Sequence, residues 1–95
     1  MKIKNDFIIR EIAGEYIVIP TGRTVLDFNG LITLNEIGVL LWKLLQKGTD
    51  MDEMIRAVLE EYEVEEAVAR EDILAFIEKL DANHVLIKED TDEND

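Results

Sequence analysis

A chain of 95 residues, 47% hydrophobic, can bury one small core and has no room for a separate cofactor domain. The absence of Cys excludes disulfides, thiolate metal sites and thiol nucleophiles. The net charge of −12 arises entirely in residues 31–95, where 18 acids stand against six bases, and such a surface repels phosphate backbones and favours neutral or basic partners.

Residues 7–13, FIIREIA, and 16–19, YIVI, closed by Pro20, predict two antiparallel strands. Gly14-Glu15 is the expected tight turn between them. Thr24-Val25-Leu26 reads as a short extra strand or an extended loop, and Asn29-Gly30 as a turn. Leu31–Leu34 is the next strand, and it runs directly into a helix at Asn35. Asn favours the position that opens a helix, because its side-chain oxygen accepts an orphan backbone N–H. Leu34 and Val39 have the spacing of a hydrophobic staple. Ile37, Leu40, Leu41, Leu44 and Leu45 recur at helical spacing, and Lys47-Gly48 closes the helix.

Asp50 opens a second helix, with Glu53 completing the pattern of a capping box. Met54, Ile55, Val58, Leu59 and Tyr62 form its apolar face. The third helix spans about 66–82, with a stripe of Ala69, Ile73, Phe76, Ile77 and Leu80. Asn83 is expected to end it in the left-handed conformation. Val85–Ile87 reads as a closing strand. Residues 88–95, KEDTDEND, contain no apolar side chain and read as a disordered acidic tail beyond a single domain at 1–87. The expected class is α+β: a winged helix-turn-helix with a small three-stranded antiparallel sheet packed on three helices.

Chemistry-bearing constellations are scarce. His84 is the sole histidine and has no second His or Cys to make a metal or catalytic set, so a structural role at a helix end is expected. The tail begins like a calcium loop at Asp90 but lacks the required Gly and the final Glu. No phosphate-binding or nucleophile-elbow glycine motif occurs. Glu60-Glu61 and Glu65-Glu66 read as solvated faces. Val39 and Trp42 stand off the main stripe of the first helix, which points to packing against the sheet. No enzyme activity, cofactor or metal is expected. No run approaches the roughly 20 apolar residues of a membrane span, and Asp6, Arg10 and Glu11 interrupt the N-terminus where a signal peptide would be apolar. A cytoplasmic protein without membrane contact is the expectation.

A winged helix commonly binds DNA through its third helix, using Lys and Arg. Here that helix holds Glu71, Asp72, Glu78 and Asp81 against Arg70 and Lys79, so no nucleic-acid partner is expected. The other mode is strand addition, in which a peptide pairs with a free sheet edge. YIVIP, GLITLN leading into LLWKLL, TDMDEMIRAVLEEYEV and AREDILAFIEKLDANHVL follow one another over residues 7–87. In that order they resemble the PqqD-like proteins, or RiPP recognition elements. Two departures are the long loop containing TVLDF and Asn83 at a helix end where Gly is usual.

The resemblance implies a non-catalytic chaperone that binds the leader of a ribosomally made precursor peptide and delivers it to a modifying enzyme, radical SAM enzymes included. It implies a peptide-binding site of Leu31, Ile32 and Thr33 facing Arg70, Ile73, Leu74 and Ile77. Ile32, Ile73 and Ile77 serve equally well as core. The alternative is a winged-helix transcription regulator acting through protein contacts and dimerising on its acidic helices; a homodimer is compatible with either.

Overall fold

The computed structural model describes residues 1–22 and 32–87. The expectations for Thr24–Leu26, Asn29-Gly30, Leu31 and the tail at 88–95 lie outside the described residues. Three antiparallel strands, β1 (Phe7–Ile12), β2 (Glu15–Pro20) and β3 (Ile32–Leu34), lie in the order β1-β2-β3. Three helices follow: α1 (Glu36–Lys47), α2 (Met51–Glu61) and α3 (Glu66–Ala82). The architecture is the α+β winged helix-turn-helix with a three-stranded sheet. No helix among the described residues is long and apolar enough to cross a membrane.

The hairpin sets the register of the sheet. Its two turn residues are Ala13 and Gly14, at φ 54° and 85°, rather than Gly14 and Glu15. Positive φ at both positions is the primed turn whose twist suits a two-residue hairpin. Ile12 and Glu15 therefore form the first hydrogen-bonded pair, and such pairs recur at every second residue. The Thr21 amide donates to the Asp6 carbonyl at 2.8 Å, in phase with that alternation. Pro20 falls between such pairs, so its missing N–H leaves no gap in the β1 ladder.

The helix starts follow the expected chemistry, with one change. Asn35 Oδ1 accepts the Gly38 amide at 2.8 Å. Gly48, at φ 101°, returns its N–H to the Leu44 carbonyl. At α2, Asp50 Oδ1 accepts the Glu53 amide at 2.8 Å. The returning half of the capping box is altered: Glu53 Oε1 accepts from the Thr49 hydroxyl at 2.6 Å. Tyr62 closes α2, and its phenol lies near Glu36 at the start of α1. Loss of solvent, then the Glu36 and Glu61 charges, raise its pKa above the ordinary 10.0.

The end of α3 corrects an expectation. Asn83 has φ −100°, and the left-handed residue is His84 at φ 61°. The His84 amide donates to Asp81 and the Val85 amide to Leu80, the two bonds of a Schellman motif. Asn83 contributes by its side chain, whose Nδ2 donates to the Lys79 carbonyl at 2.9 Å. The closing strand is a single bridge: Leu86 pairs antiparallel with Ile3, outside the main sheet. Residues 1–4 thus lie between 85–87 and the C-terminal end of α1, where the Ile3 amide donates to Leu45.

One core joins all elements. Phe7, Val18, Ile32 and Leu34 come from the sheet, Leu41, Trp42 and Leu45 from α1, and Met54, Val58, Ile73 and Leu80 from α2 and α3. Val39 and Trp42 both stand off the main stripe of α1; Val39 is half-buried, while Trp42 is the largest fully buried side chain. Its indole Nε1 has no hydrogen-bond partner among the described residues.

Candidate functional site

β3 is an edge strand, and the register decides which of its groups are free. The hydrogen-bonded pairs of the hairpin turn the N–H and C=O of Glu15, Ile17 and Ile19 toward β1. Those of Tyr16 and Val18 then point to β3, where their partners are Leu34 and Ile32. Thr33, opposite Ile17, is left with its N–H and C=O on the outer edge of the sheet. No strand pairs with that edge among the described residues.

A groove runs beside the edge. One cleft of about 400 Å³ is lined by Gly14, Glu15, Thr33, Leu34 and Asn35 on the sheet side, and by Phe76 and Lys79 of α3 on the other. A second, of about 260 Å³, lies between α1 and α3 and is lined by Ile37, Leu41, Asp72, Ala75 and Phe76. Asn35, Gly38 and Phe76 line both, so the two clefts adjoin. Gly38 matters because it lacks a side chain. A Cβ there would stand 3.2 Å from Leu34 Cβ and 3.4 Å from Asn35 Oδ1.

The structure divides the expected site residues. Thr33 is exposed and lines the groove. Leu31 lies outside the described residues. Ile32, 1% exposed, and Ile73, fully buried, are core side chains. Ile77 is half-buried and packs on the same core. Arg70 and Leu74 stand on the opposite flank of α3 from this groove. At 3.6 residues per turn they lie roughly 150–170° round the helix from the face formed by Asp72, Ala75, Phe76 and Lys79. Arg70 lines a cleft between α2 and α3 and pairs with Glu66 at 3.1 Å. Leu74 is 45% exposed on the same flank of α3 as Arg70.

Sequence reasoning thus missed Gly38, Asp72, Ala75 and Lys79 as groove residues and placed Phe76 in the core alone. Their spacing of i, i+3, i+4 and i+7 was the available signal. Chemically the groove offers free backbone groups at Thr33, an apolar floor and two side-chain charges of opposite sign on α3. Among the described residues no group of three His, Asp or Glu side chains could hold a metal.

The family model for coenzyme PQQ synthesis protein D (PqqD) matches residues 15–86. Two solved structures have the same fold. TbiB1 in complex with the TbiA(beta) leader peptide superposes with a TM-score of 0.72 at 24% identity, over 93% of this chain and 96% of that one. A lasso peptide synthetase B1 complexed with the leader peptide gives 0.68 at 21% identity, over 88% of this chain and 93% of that one. No curated protein matches the chain in sequence.

Proposed function

The chain belongs to the PqqD family, and from that premise we propose that it binds the leader of a ribosomally synthesised precursor peptide by strand addition. It is a non-catalytic chaperone in this reading, and its second partner is the enzyme that modifies the peptide. The observation that carries the proposal is the open edge of β3 at Thr33, set beside a groove floored by Gly38 and walled by Phe76. A peptide extended along this edge exchanges backbone hydrogen bonds with Thr33, and its alternate side chains enter the groove. TbiB1 and the lasso peptide synthetase B1 are each complexed with a leader peptide, and the shared fold supports leader binding here. The regulator alternative gains nothing from α3, whose seven charged residues include five acids.

The test uses calorimetry with a synthetic leader from a precursor gene adjoining this one. Thr33→Pro removes one outward donor without touching the β2 ladder, so the fold is retained and binding weakens. One lost hydrogen bond is worth about 0.5–1.5 kcal/mol, or a few-fold to about tenfold in affinity. Thr33→Ala keeps the backbone donor and is expected to bind as wild type. Equal binding by Thr33→Pro, with its fold verified by circular dichroism, contradicts pairing at this edge.

A further inference from the structure

The two arms of the groove differ in chemistry. The strand-edge arm holds free backbone groups together with Glu15 and Lys79. The arm between α1 and α3 mixes the apolar side chains of Ile37, Leu41, Ala75 and Phe76 with Asn35 and Gly38, and Asp72 is its single ionisable lining residue. Leu41 is buried at its base, and Ile37 and Phe76 are half-buried. The Asp72 carboxylate has no ion-pair or hydrogen-bond partner among the described residues. Of the two helices that form this arm, α3 adds negative potential, with five acids against two bases, while α1 carries Glu36 against Lys43 and Lys47.

A cleft in which apolar side chains stand beside one carboxylate fits a side chain with a long apolar stem and a cationic head. Resting on the leader-binding reading, we infer that this second arm takes a Lys or Arg of the leader. Its methylenes lie along Ile37, Ala75 and Phe76, and its head pairs with Asp72. The clefts share Asn35, Gly38 and Phe76, so this arm is within reach of a peptide leaving the β3 edge. An acidic leader residue in the same position would meet Asp72 and the net negative field of α3. The groove therefore selects an extended segment followed by a basic residue, and Asp72 determines that choice.

A phage-displayed random peptide library panned against the full chain provides the probe. Enriched peptides are expected to join a β-prone stretch to a Lys or Arg. For one such peptide, glutamine in place of the basic residue is expected to lower wild-type affinity about tenfold, the scale of a charge-assisted pair. Against Asp72→Asn the two peptides bind alike, and Asp72→Arg prefers a version with glutamate. Asp72 is exposed, so both variants are expected to fold. Enriched peptides that shift the Thr33 amide resonance but lose nothing on the change to glutamine overturn the inference and leave the leader groove standing. A library that yields no binder, or only binders that leave the Thr33 amide unmoved, overturns the groove reading and the inference together.

Discussion

Two single residues hold backbone conformations that their side chains disfavour. Ala13 and His84 sit at φ 54° and 61°, where an L-residue costs about 1–2 kcal/mol. Both side chains are exposed, so little packing is lost on replacement. Ala13→Asn creates the Asn-Gly pair that the turn prefers, and it is expected to raise unfolding free energy by about 0.5–1 kcal/mol in urea titration. His84→Gly is expected to gain a similar amount, since glycine is the usual residue at this place in a Schellman motif. Asn35→Ala removes the bond to the Gly38 amide and is expected to cost about 1 kcal/mol. The cap at Asn35 was legible because the residue type carries the mechanism. The positions of the left-handed residues were not. Asn83 has the better propensity, but the bonds from His84 and Val85 back into the helix place the turn one residue later.

Helix α3 carries two surfaces, and only one borders the groove. The stripe of Ala69, Ile73, Phe76, Ile77 and Leu80 was legible from its spacing; Ala69, Ile73 and Leu80 are buried, and Phe76 and Ile77 half-buried. A stripe has two flanks, however, and periodicity does not say which one faces the next element. Arg70 and Leu74 border one flank, and Asp72 and Lys79 the other. The packing of α2 against the Arg70 flank decides the matter, leaving the Asp72 flank to β3 and α1. Leu74→Asp is therefore expected to leave leader affinity within about twofold of wild type. Phe76→Asp places an unpaired carboxylate in the floor shared by both arms and is expected to cost about 2 kcal/mol or more of binding. Calorimetry on the two folded variants checks the contrast, and the opposite ranking would return the site to the Arg70 flank. Gly38 was read only as part of a helix, because nothing in a sequence marks a helical glycine as the floor of a cleft.

At the scale of the whole molecule, charge and topology divide the tasks. The acids of α3 border the groove, those of α2 lie on the far side of α3, and the strand that supplies the pairing edge has no charged residue in Ile32–Leu34. Duplex DNA is expected not to bind at physiological salt, and a mobility-shift titration showing salt-sensitive micromolar binding would contradict this. The order of strands and helices was legible along the chain. The clasp of residues 1–4 on 85–87 was not, because a single bridge between two short segments leaves no periodic signal. The central claim is that a leader extends the sheet at β3, and amide hydrogen exchange tests it most directly. In the free protein the Ile32 and Leu34 amides are bonded to β2, whereas the Thr33 amide faces outward. Added leader peptide is expected to slow exchange at Thr33 strongly and to change Ile32 and Leu34 much less. Saturating peptide that protects α3 but leaves Thr33 exchanging as in the free protein would contradict strand addition.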